Sequence, residues 1–230
     1  MFLKLSLTSF FSFVHYIGMV MTEKQEGLGD SLRLTIERSD LTDALIDAGD
    51  MSLENITDVA SGIPVLKWMT AAGKSYLTIR NYLFVRKLAA FLADLKSLPA
   101  VGRTSLIQRL DNEPAYSKRA AEALITVLDR VDSNLKAVWV AKALRAYAAE
   151  RITAREMMRV NAVIERVLVC DVDEIVAMLE KRDMTKHNDT DCAQSALVAG
   201  LATITQGYGG GGLVPTPVYR LFKEHVLDAA

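Results

Sequence analysis

The chain has 230 residues, half of them hydrophobic, a formal net charge of −1 and two cysteines. That is enough apolar length for a substantial core in one domain with appended ends, while two cysteines exclude a disulfide-built scaffold and suit a reducing, cytoplasmic setting. The charge is unevenly spread: Lys and Arg against Asp and Glu give −6 for residues 1–62, +7 for 63–110, −2 for 111–132, +4 for 133–170 and −4 for 171–230. A basic centre between acidic ends is either self-complementary or a surface for an anionic partner.

Residues 1–21 carry one Lys and then an uncharged run from Leu5 to Met21. Its 17 residues include four Ser/Thr and His15, short and polar for a spanning helix, and no A-x-A-like cleavage site follows. Three readings stand: an over-extended start or disordered tail, a membrane anchor, or a cleaved signal. Gln25 to Asp30 reads as a polar linker. Ser31 to Asp58 is acidic with apolar patches at Leu32, Leu34, Ile36, Leu41, Leu45 and Ile46, predicting one or two short helices, one of them capped by Ser39 or Asp40. Gly62-Ile63-Pro64 then opens a helical region.

Within residues 64–96, Leu77, Phe84, Leu88, Phe91 and Leu95 share one helical face, and Arg80, Arg86, Lys87 and Lys96 crowd the remainder against Asp94 alone. With Trp68, Tyr76 and Tyr82 nearby, this basic amphipathic pattern has two readings. One is a helix facing an anionic partner or membrane surface, with Lys74, Arg80, Arg86 and Lys87 as candidate contacts. The other is a core helix with a solvated charged face, which consecutive Leu83, Phe84 and Val85 favour. Pro99 ends this helix, and Val101 to Leu110 forms the next.

The stretch from Lys118 to Val169 predicts three successive amphipathic helices. In the first, between Pro114 and Asp132, Ala121, Leu124, Ile125, Leu128 and Val131 recur at three- and four-residue steps, and Pro114 suits a first helical turn. The second, Asn134 to Ala149, places Ala137, Val140, Leu144 and Tyr147 on one stripe and Lys136, Lys142 and Arg145 off it. Thr153 with Glu156 is a capping box opening the third, which buries Met157, Val160, Ile164 and Val167. Such short connections pack the three into one local bundle.

After Asp171 the expectation is a helix over Val172–Leu179 and a polar loop over Arg182–Asp191. A helix over Ala193–Leu201, a strand around Ala202–Gln206, a glycine-rich loop, a strand around Pro217–Leu221 and a closing helix Phe222–Ala229 follow. That order resembles the end of a winged-helix domain with the glycine loop as wing. A DNA-binding wing needs cations for phosphate contacts, and no Lys or Arg stands between Lys186 and Arg220, so packing or protein contact is the better use.

Chemical signatures are sparse. The glycine run lacks the G-K-[ST] ending of a phosphate-binding loop. His187, Asp189, Asp191 and Cys192 gather possible ligands without metal-site spacing, which reads as a solvated loop. No Ser or Cys lies in a nucleophile context. Asp129 and Asp132, three apart, could share a helix face, but Arg130 and the following turn make a cap or salt bridge the ordinary role. No catalytic, cofactor or metal residue is assigned.

The segments I-P-V-L-K from Ile63, S-Y-L-T-I-R-N-Y-L-F-V-R-K-L-A-A-F-L from Ser75, L-I-T-V-L-D-R-V-D from Leu124 and K-A-L-R-A-Y-A-A-E-R-I-T from Lys142 resemble a set of small uncharacterised bacterial helical proteins. Those carry I-R-D-x-L-F-x-K-K-L, L-D-R-x-D and A-x-L-F-x-A-Y-x-x-G-x-I segments. The last piece is also similar to the helix pair of TerB-like tellurite-resistance domains. The resemblance spans about residues 55–170 and implies a helical fold with no activity to carry over; Glu150-Arg151 stands where those proteins place a Gly-containing turn.

The combined expectation is a mainly α fold: a multi-helix bundle with a small C-terminal, winged-helix-like β-hairpin. Residues 1–30 form a disordered or hydrophobic N-terminal segment, 31–170 the bundle, and 171–230 a subdomain packed on it. The functional expectation is a non-enzymatic interaction or regulatory protein with a protein partner and no cofactor. The alternative is a membrane-associated protein acting through the N-terminal segment or the basic helix 64–96; a DNA-binding regulator using the wing comes third. Nothing in the sequence sets the oligomeric state.

Overall fold

The structure, a computed structural model, describes residues 27, 29–52, 55–56, 62–70, 79–114, 116, 119–180, 191–207 and 210–229. The expectations for residues 1–21, for Lys74 and Leu77, and for His187 and Asp189 fall outside them.

A first helix, α1, covers residues 29–37. It is followed by α2 (Ser39–Asp50), α3 (Pro64–Thr70), α4 (Ile79–Leu95), α5 (Ala100–Asn112), α6 (Ala120–Arg130), α7 (Asn134–Ala148) and α8 (Ala154–Arg166). After a single 3-10 turn come α9 (Val172–Glu180), α10 (Asp191–Ala199), strands β1 (Ala202–Gly207) and β2 (Gly210–Pro215), and α11 (Pro217–Phe222), which continues into a π turn, Lys223–Leu227. The fold is therefore mainly helical with a small two-stranded antiparallel hairpin near its C-terminal end.

α7 is the central element. Of its 15 residues, nine are buried, including Lys136, Ala137, Trp139, Val140, Leu144 and Tyr147, more than one face of a surface helix can hide. Helix α4 lies along one side, α8 along another and the C-terminal π turn along a third, with α2 on the far side of α4. The α2–α4 contact is close because Gly49 has no side chain: a Cβ there would overlap the Ala89 methyl group. Trp139 meets Phe222 edge-to-face, centroids 5.6 Å apart and rings at 83°, an arrangement favoured by the ring quadrupoles. That pair ties the C-terminal helix to α7, so buried residues from Leu32 to Val226 make one cluster.

The apolar stripes read from the sequence are inside: Leu124, Leu128 and Val131, then Ala137, Val140, Leu144 and Tyr147, then Met157, Val160, Ile164 and Val167 are all buried. So are Phe84, Val85, Leu88, Phe91 and Leu95, whereas Leu83 is half exposed.

The structure differs from these expectations in four places. Helix α2 has Arg38 as its N-cap with no side-chain cap bond. Asp40 pairs with Arg38, and Ser39 instead accepts from Arg103 Nη2 at 2.9 Å. Arg103 is buried, and its Nε has no partner among the described residues. Helix α6 begins at Ala120 rather than near Pro114, and the carboxylate of Asp111, nine residues back, accepts the Ala120 N–H at 3.1 Å. Lys136, expected off the buried stripe of α7, is 1% exposed, because that helix is enclosed on several sides.

The fourth difference concerns the second strand, which is Gly210–Pro215 and not a segment after Pro217. Its register pairs Ala202 with Pro215 and Gly207 with Gly210, so the glycines lie in the ladder. Thr216 then caps α11, accepting from Tyr219 N, with Pro217 at the first helical position, a start signal stronger than any strand tendency. Its hydroxyl also donates to Gly200 O at 2.8 Å, closing the base of the hairpin.

Two helices end in the same hydrogen-bond pattern. At α10, Gly200 has φ +80, with Gly200 N–H donating to Leu197 O at 3.0 Å and Leu201 N–H to Ala196 O at 2.9 Å. At α7, Glu150 N–H donates to Tyr147 O at 3.0 Å and Arg151 N–H to Ala146 O at 2.9 Å. Both are Schellman caps, whose C′ residue must be left-handed. At α7 that residue is Glu150, at φ 57. A left-handed non-glycine residue costs ~1–2 kcal/mol, so Glu150→Gly should stabilise the protein by ~1 kcal/mol in urea denaturation. A loss of stability instead would mean that the Glu150 contact with Arg109, at 3.5 Å, outweighs the strain.

Candidate functional site

The basic stretch chosen from the sequence does not form one surface in the described residues. Lys87 is buried: its ammonium donates to Val131 O at 2.8 Å and to Asp129 O at 3.1 Å. Burial pushes its pKa down from the usual lysine value, with the Asp129 carboxylate opposing. Arg80, though exposed, pairs with Asp129 Oδ2 at 2.7 Å. Arg86 is exposed and lies 5.9 Å from the Tyr82 ring centre. The stretch thus splits into an internal capping lysine, a paired arginine and one arginine over an aromatic ring.

The partners of Lys87 belong to the L-D-R-V-D segment. Helix α6 stops there, leaving carbonyls without intrahelical donors, and a cation at a helix C-terminus meets both those carbonyls and the negative end of the helix dipole. A second buried lysine works on the next turn. Lys136 donates to Asp132 Oδ2 at 2.8 Å and to Glu165 O at 3.4 Å, reaching the last turn of α8. Arg130 and Glu165 complete the link at 3.8 Å. Asp129 and Asp132 therefore have the ion-pair role expected of them.

Among the described residues no group of three or more His, Cys, Asp or Glu could hold a metal ion. Neither thiol is activated. Burial pushes Cys192 up to about 11, and Cys170 is raised by donating its S–H to Asp171 Oδ1 at 3.2 Å. Thiols raised in this way are protonated, and so poorly nucleophilic, near neutral pH.

A different set of cations is arranged for contact. On α8, Arg155, Arg159, Ala162 and Arg166 stand at i, i+4, i+7 and i+11, one helical face, and the three arginines are exposed. The acids of the same helix have their main partners elsewhere, although the Glu156 carboxyl also feels the Arg159 charge. Glu156 closes the capping box with Thr153, whose hydrogen bonds hold its carboxyl below the usual range, and Glu165 faces Arg130. Beside this face runs a groove of about 330 Å³ between α8 and the Gly200 and Thr216 corner. Arg159 and Arg166 stand on its rim, and Ala162, Val163, Ala199, Pro217 and Val218 supply its apolar wall. The spacing of these arginines was readable in the sequence; what competed with it was the larger positive total of residues 63–110.

No family model matches the chain, and no curated protein and no solved structure matches it.

The lysine caps make a direct prediction. Lys87→Met keeps the stem and removes the donors, leaving two carbonyls without them, and should cost ~1–3 kcal/mol in chemical denaturation. Lys96→Met, at a half-exposed pair with Asp43, should stay within ~0.5 kcal/mol. Equal small effects would show that the Lys87 ammonium is not needed at the α6 end.

Proposed function

We propose that this chain is a non-enzymatic interaction protein whose α8 arginine face and adjoining groove receive an acidic segment of a protein partner. The observation that carries the reading is the arrangement of charge on α8: its two glutamates are held by Thr153 and Arg130, while Arg155, Arg159 and Arg166 line one face beside an apolar wall. Guanidinium groups suit this task because their planar donor fork matches a carboxylate in bidentate fashion. An apolar groove next to them gives a partner side chain area to bury, which charge alone does not provide.

The membrane alternative leans on the N-terminal segment, which lies outside the described residues, or on Lys74, Arg80, Arg86 and Lys87. Of the three described, Lys87 is internal and Arg80 is paired, which weakens a common lipid-facing plane. No helix of the described residues is long and apolar enough to cross a membrane.

Fluorescence anisotropy with a labelled peptide of glutamate pairs separated by single leucines tests the proposal. Binding should weaken with added salt. It should fall by about tenfold or more with Arg159→Glu, as expected for a lost charge-assisted contact, and again with Arg166→Glu, while Arg80→Gln with Arg86→Gln leaves it unchanged. Peptide affinity indifferent to the α8 changes would overturn the reading. So would salt-sensitive sedimentation with phosphatidylserine vesicles that disappears in the Arg80→Gln, Arg86→Gln variant, which would promote the membrane function.

A further inference from the structure

A second cleft, of about 350 Å³, lies between the C-terminal half of α7 and the closing π turn. It shares no lining residue with the α8 groove. Lys142, Arg145, Arg151 and His225 line it together with Leu98, Ala146, Ala149 and Ala229, and among the described residues no Asp or Glu lines it. Like charges brought together in one concave site raise the energy of the folded chain unless something of opposite sign enters.

The nearby acids do not cancel this set. Asp94 Oδ1 pairs with Arg145 Nη1 at 3.2 Å, and Lys142 and Arg151 line the same cleft. Glu224 Oε1 is 3.9 Å from His225 Nε2 but is itself largely solvent-exposed, and Glu156, within electrostatic reach of His225, is held mainly by its hydrogen bonds to Thr153. Lys142 Nζ donates to Ala229 O at 2.6 Å, a neutral carbonyl that steadies the ammonium without removing its charge. His225 is 7% exposed and belongs to the π turn, a widened helical turn of the kind that recurs at functional sites.

The C-terminal end of a helix ordinarily repels anions. Here the last carbonyls of α7 are occupied. Arg145 O accepts from Ala149 N, Tyr147 O from Glu150 N and Ala146 O from Arg151 N, and Ala148 O accepts from Arg109 Nη1 at 3.3 Å. The cationic heads at the cleft are consequently not the helix's own caps. Small residues, Ala146 and Ala149, floor the space between them, leaving room for a guest.

We propose that this cleft binds a compact phosphate group, free or as the monoester of a small molecule. A tetrahedral oxyanion offers several acceptor oxygens to donors converging from different directions, which suits two guanidiniums, an ammonium and an imidazole better than a single planar carboxylate does. The volume is at the lower end for small-molecule sites, which run from ~300 Å³ upward, so the guest is small.

Calorimetric titration of the full chain with sodium phosphate, against sodium chloride at matched ionic strength, tests the proposal. Saturable binding of phosphate alone is expected. Arg151→Gln, an exposed position that leaves the core untouched, should weaken it about tenfold or more, and Lys142→Gln should do the same, while Arg159→Gln changes nothing. Tighter binding of glycerol phosphate than of inorganic phosphate assigns the guest as a monoester; equal binding assigns it as the free ion. Heats reproduced by chloride, succinate binding as tight as phosphate, or parent-like affinity in both variants would overturn the proposal.

Discussion

A buried ammonium that meets the carbonyls at the end of a neighbouring helix is the contact on which the rest of this structure depends. Lys87 of α4 holds the end of α6, and Lys136 of α7 holds Asp132 and the last turn of α8. Removing a lysine charge from water costs several kcal/mol unless strong acceptors replace the solvent. The acceptors here are carbonyls that the helix geometry itself leaves open, joined at Lys136 by the nearer Asp132 carboxylate. Each lysine therefore solves two desolvation problems at once, its own and that of a helix end. The solution works only if α4, α6, α7 and α8 keep one relative placement, and the exposed face of α8 follows from that placement.

The other helix ends carry related consequences. The Schellman turn after α7 consumes the carbonyls of Tyr147 and Ala146, so the cations gathered beside it face a cleft instead of capping the helix. The corresponding turn after α10 places Gly200 where the Thr216 hydroxyl reaches its carbonyl, fixing the hairpin and one wall of the α8 groove. Both concave sites are thus by-products of how helices stop. Glu150 makes the point most clearly: a glutamate accepts the left-handed backbone that the turn requires, with its carboxylate within 3.5 Å of Arg109.

Much of the fold was legible because apolar periodicity is local. The stripes through Leu124 and Leu128, through Val140 and Leu144 and through Val160 and Ile164 needed only a count of three and four, and Thr153 with Glu156 announced its own capping box. Lys87 and Lys136 were not legible. A lysine among polar neighbours reads as solvent-facing, and what buries it is a helix end forty residues away or a helix on the opposite side. Asp111 as acceptor for Ala120 hides because a cap nine residues back matches no local capping motif. The second strand was misplaced because a run of glycines reads as loop, although Gly212 and Gly211 pair with Thr205 and Gln206. The α8 arginines could have been found by the same count that found its core face, once Glu156 had been assigned to the capping box.

The account stands most directly on the state of the two lysine side chains. Nitrogen-detected NMR of the lysine ammonium groups should show two with protons protected from exchange with water, and Lys87→Met and Lys136→Met should each remove one. Rapid exchange at every lysine, or protected signals that survive both substitutions, would contradict the claim that these ammoniums hold the helix ends.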